Sequence, residues 1–81
     1  MAKRPLGSEE QVVLDLIQQA WGLGREAIDI GFDDDGNAYA HWSCRGQSPV
    51  VNLTIYGLEL KNGKISHASL CEEMRGPMED A

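Results

Sequence analysis

His41 with Cys44 and His67 with Cys71 account for every histidine and cysteine in the chain, and imidazole and thiolate are the side chains zinc takes as ligands. A structural zinc ion is usually held by two short-spaced pairs that folding brings together, so two such pairs meet the minimum condition for a site. The spacing departs from common zinc patterns. Each pair mixes the two residue types, as His-Trp-Ser-Cys over 41–44 and His-Ala-Ser-Leu-Cys over 67–71. The competing reading is packing, because a free cysteine behaves as a small apolar side chain. Packing is the expectation, with no cofactor; zinc on His41, Cys44, His67 and Cys71 is the alternative.

The same residues raise a catalytic reading. A cysteine nucleophile needs a base or electropositive surroundings. His41 or His67 could serve as that base, but no third residue is marked to orient it, and 13 acidic residues outnumber 7 basic ones. The run Asp33-Asp34-Asp35-Gly36-Asn37 begins like a calcium loop but lacks the glycine at the sixth position and the closing glutamate, so it reads as a polar turn. Gly22-Leu23-Gly24 follows a helical pattern instead of a strand, which makes it a stop signal and not a phosphate cradle. Catalysis is therefore not expected.

The elements that would position these residues follow from periodicity. Residues 1–7 show none and read as a flexible arm. From Ser8, with Gln11 three residues on as a capping box, Val12, Val13, Leu16, Ile17, Ala20 and Trp21 recur at helical spacing until Gly22. After Arg25 the period changes to two: Ile28, Ile30 and Phe32 form one strand. The acidic turn then leads to a return strand, Ala38 to Cys44. Arg45 to Pro49 is a loop. Val50 to Leu60 reads as a third strand with a bulge at Gly57, and Asn62-Gly63 as a two-residue hairpin into a fourth strand, Ile65 to Cys71. The expected fold is α+β: one N-terminal helix packed on a four-stranded antiparallel meander in the order 1-2-3-4. The single domain spans 8–75 and an acidic tail covers 76–81. Ile17, Trp21, Trp42, Leu53 and Ile55 form the expected core.

In that meander the two His/Cys pairs lie about 10 Å apart, too far for a Cys44–Cys71 disulfide, and at most three of the four side chains converge. The face away from the helix carries Tyr39, His41, Ser43, Asn52, Thr54 and Tyr56 on its central strands, with His67 as a further candidate. None of these residues is Lys, Arg, Asp or Glu. Charges are depleted and tyrosine enriched at interface centres, so this face is the candidate ligand or partner surface. Ordinary strand-surface residues of the same types are the plain alternative.

Size and charge bound the function. A chain of 81 residues buries only about 60–65% of its unfolded surface, so association with a partner is an economical way to gain stability. A formal charge of −6 disfavours direct binding to nucleic acid or to anionic membranes. Two cysteines without an apolar leader point to the cytoplasm. The expected function is a non-catalytic binding or regulatory domain that self-associates as a homodimer or meets a protein partner. The alternatives are an acidic, protein-directed mimic of nucleic acid and a small-molecule or zinc module.

Overall fold

The computed structural model describes residues 4–75, so the segment 76–81 read as an acidic tail lies outside the described residues. Three helices and a three-stranded antiparallel sheet follow one another along the chain. Helix α1 is Ser8–Trp21, strands β1, β2 and β3 are Asp29–Phe32, Ala38–His41 and Val50–Asn52, and helices α2 and α3 are Leu53–Lys61 and His67–Glu73. The sheet order is β1-β2-β3.

The first half matches the periodicities closely. Helix α1 buries Val13, Leu14, Leu16 and Ile17 on one face and ends where Gly22 takes the left-handed conformation (φ 68°, ψ 35°). Its start differs by one position: Gly7 is the N-cap, and the Glu10 carboxylate accepts the Gly7 amide at 2.8 Å, the interaction a capping box places three residues into a helix. The β1–β2 turn is organised by Asp33, whose side chain accepts from the amides of Asp35 (3.0 Å) and Asn37 (2.8 Å). Beyond β2, the chain closes in a tight hairpin instead of an open loop. Cys44 and Gln47 exchange backbone hydrogen bonds, and Arg45 and Gly46 between them both have positive φ, at 55° and 80°. Two-residue hairpins favour this backbone geometry.

The second half overturns the expected four-stranded meander. Leu53–Lys61 is a helix, not the continuation of a third strand, and His67–Glu73 is a helix, not a fourth strand. Two local caps decide this. The Asn52 side chain accepts from the Ile55 amide at 2.9 Å, and the Ser66 hydroxyl accepts from the Ser69 amide at 3.1 Å, each satisfying a donor that a new helix leaves open. Asn62-Gly63 is the exit of α2. The Asn62 amide donates to the Leu58 carbonyl and that of Lys64 to the Glu59 carbonyl, while Gly63 sits at φ 78°. Gly57 is no bulge: a side chain there would meet Glu9 Cβ at 3.0 Å and the Glu9 carbonyl carbon at 3.2 Å, so it is the point where α2 presses on the first turn of α1.

The core joins the two layers. Ala38, Ala40 and Trp42 on the inner side of β2 and its extension are buried with Val13, Leu14, Ile17, Leu53, Leu70 and Met74. Trp42 meets Trp21 edge-to-face, with centroids 5.3 Å apart. Of the expected core, Ile17, Trp42 and Leu53 are buried and Trp21 is partly buried, but Ile55 is 44% exposed because the helical turn carries it outward.

Candidate functional site

Register assigns the sheet's two faces. Ile30 pairs with Ala40 and Phe32 with Ala38, and Ala40 also pairs with Val51, so these residues share the inner face. Asp29 pairs with His41, Gly31 with Tyr39, Tyr39 with Asn52 and His41 with Val50, which puts all six on the other face. Tyr39, His41 and Asn52 are thus brought together as neighbours. Ser43 is exposed just beyond β2. Thr54 and Tyr56 sit on α2 and His67 on α3, so the change of secondary structure takes these three off the strands.

Two residues the sequence argument did not count belong to this face. Val50 is 62% exposed, although it is a β-branched strand residue in register with His41. Asp29 brings one carboxylate, and its Oδ2 lies 3.8 Å from His41 Nε2. The strict alternation Ile28-Asp29-Ile30 was the available signal for Asp29, because it puts the carboxylate on the face opposite the isoleucines. Farther along, the Asp33 carboxyl is held below its usual range chiefly by the Asn37 amide, with a smaller contribution from the Tyr39 hydroxyl.

The surface does not stop at the edge of the sheet. Asn52 ends β3, caps α2 and, with Ile55, Tyr56, Glu59 and Ile65, lines a depression of about 410 Å³. Tyr56 titrates above its usual range, first because it is partly buried and then because the Glu73 and Glu59 carboxylates lie nearby. A continuous path therefore runs from Tyr39, His41 and Val50 through Asn52 to Ile55. Val50 and Ile55 are two of the three exposed large hydrophobic side chains in the described chain, the third being Leu58.

The four candidate metal ligands are separated by the fold. Cys44 is at the base of the tight hairpin, and His41 is on the outer sheet face. His67 and Cys71 are together on α3, with Nδ1 and Sγ 3.8 Å apart. Among the described residues, no group of three or more His, Cys, Asp or Glu side chains is gathered for one ion, and both cysteines are free thiols.

The densest polar cluster is centred on Glu10. Arg4 donates Nη1 and Nη2 to its two carboxylate oxygens at 2.8 Å each, the Thr54 hydroxyl donates to Oε2, and Thr54 Oγ1 in turn accepts the Ala38 amide at 2.7 Å. Arg4 also reaches the Gly36 carbonyl at 2.7 Å and lies 5.1 Å from the centre of the Phe32 ring. The Glu10 carboxyl is lowered to about 2, mainly by the Arg4 guanidinium; burial opposes this, while the Thr54 hydroxyl and Gly7 amide reinforce it. Every acceptor site of Glu10 is therefore used in joining the start of α1 to the start of α2 and to β2. The cluster is a structural tie.

No protein-family model matches the chain, and no curated protein or solved structure gives a match. No helix among the described residues is long and apolar enough to cross a membrane.

Proposed function

We propose that the chain is a small non-catalytic binding module that works through the uncovered face of its sheet, and that its partner is a second copy of itself. The observation that supports this most is the exposure of Val50 beside Tyr39 and His41, continued through Asn52 to Ile55. Covering these side chains removes apolar area from water at about 25 cal/mol per Å², and a chain of this size has little core from which to draw the same stabilisation.

A second copy fits the polar pattern of the face. An isologous interface must be self-complementary, and this face carries both an acceptor, Asp29, and an imidazole, His41, at 79% and 51% side-chain exposure. Two faces related by a twofold axis can set each His41 against the partner's Asp29 while the tyrosines and Val50 fill the centre. In a reducing cytoplasm Cys44 and Cys71 remain thiols, and neither is needed for this interface.

The reading is tested by diluting isotope-labelled protein and following backbone amide signals. Concentration-dependent shifts should map to Tyr39, His41, Val50, Asn52 and Ile55. Shifts confined to the Glu10 end of the helices, or none up to high micromolar concentration, would refute it.

A further inference from the structure

The close approach of His67 and Cys71 has a use that the sheet face does not involve. They are four residues apart on α3, hence on one side of the helix, with Sγ 3.8 Å from Nδ1. His67 is exposed and Cys71 partly so, and Cys71 borders a depression of about 280 Å³ between α1 and α3. A tetrahedral zinc ion with Zn–S of about 2.3 Å and Zn–N of about 2.0 Å holds such donors roughly 3.6 Å apart. The observed separation is therefore already close to the bite of a chelating pair. One ion can touch both atoms after a small side-chain adjustment.

Two donors do not complete a structural zinc site, and no third His, Cys, Asp or Glu joins them among the described residues. A second copy of this chain supplies what is missing. A twofold axis through the ion brings two thiolates and two imidazoles together, the four-coordinate set zinc favours, and the two thiolate charges balance the +2 of the ion. We propose that His67 and Cys71 are half of a zinc site completed by the same pair from another copy. Binding transfers the two thiol protons to solvent, forms two Zn–S and two Zn–N bonds, and involves no oxidation or reduction. Because the pair lies in the helical layer, the site is independent of association through the sheet.

The metal-free 81-residue chain is titrated with zinc chloride and followed by sedimentation velocity, and with cobalt(II) by absorption. The Val50→Lys variant, which carries a charge on the sheet face, serves as a second background. In that background zinc should convert monomer to dimer at one ion per two chains, and cobalt should show thiolate charge-transfer absorption with the strong visible bands of a tetrahedral ion. Cys71→Ser and His67→Ala should each abolish the response, whereas Cys44→Ser should leave it intact. One zinc per chain without a change of mass, loss of the response in Cys44→Ser, or no retained zinc would overturn the proposal. If either α3 variant fails to fold, the stoichiometry and cobalt spectrum of the parent chain still decide the question. Sheet-face association is read separately, from the zinc-free mass of the unmodified chain.

Discussion

Glu10 shows how one carboxylate can set the pH limits of a small domain. Its carboxyl lies at about 2 in the fold, against an ordinary value of 4.5. Protonation is therefore easier in the unfolded chain. The stabilisation is complete above about pH 5 and is lost as the pH falls through 4.5 towards 2. Glu10→Gln should remove most of that pH dependence, so urea midpoints of variant and parent, well separated at pH 6, should converge near pH 2.5. A constant gap between them would show that ionisation of Glu10 is not the cause. Glu10→Ala leaves the Thr54 hydroxyl and the Gly7 amide without their acceptor and should cost about 1.5–3 kcal/mol at pH 7 by denaturant titration. By sequence alone Glu10 is one of two acidic residues in the first turn of α1, where a negative charge suits the helix dipole. Its partners, Arg4 and Thr54, lie 6 and 44 residues away, and no local pattern links them.

At the scale of elements, the decisive contact is α2 against α1. Gly57 lets the helices approach until a side-chain position would lie 3.0 Å from Glu9 Cβ and 3.3 Å from the Glu10 amide nitrogen. Those atoms cannot retreat easily, because the Glu10 network anchors that turn. Gly57→Ala would gain about 1 kcal/mol of helix propensity, but overpacking typically costs about 1–3 kcal/mol, so net destabilisation is expected in a denaturant titration. An increase in stability would mean that the helices can separate freely. Leu53, fully buried in the first turn of α2, should cost about 2–5 kcal/mol as Leu53→Ala, measured the same way. Helix α1 and the β1–β2 hairpin were legible because apolar residues there keep one period and are bounded by Gly22 and Asp33. The third strand was legible only over Val50–Asn52; residues 53–60 were not, because Val51, Leu53, Ile55, Leu58 and Leu60 satisfy a strand with one bulge as well as an all-round apolar helix. The arbiter was the Asn52 cap. Asn62-Gly63 is likewise common to hairpins and helix ends, and only the cap at Ser66 distinguishes them.

Among the described residues one face of the sheet is covered by the helices and the other is not, and that second face is the proposed working surface. Tyr39 and His41 were placed on this face by their alternation with Ala38, Ala40 and Trp42, and Asn52 by its alternation with Val51 in the short part of the third strand that is a strand. Thr54, Tyr56 and His67 were placed with them only through the strand reading, while Val50 and Asp29 emerged once pairing was known. Each copy carries a formal charge of −6, so two copies repel at long range. Raising salt from low to physiological concentration should tighten the dimer by screening that repulsion, whereas an acidic mimic bound to a basic partner should weaken. The most direct measurement is sedimentation equilibrium at high micromolar concentration, with a chelator present, on the parent chain and Val50→Lys. The parent mass should approach twice 8.9 kDa, and the variant, still folded, should remain at 8.9 kDa. A monomeric parent chain, or a dimer unchanged by a lysine at position 50, would contradict the account.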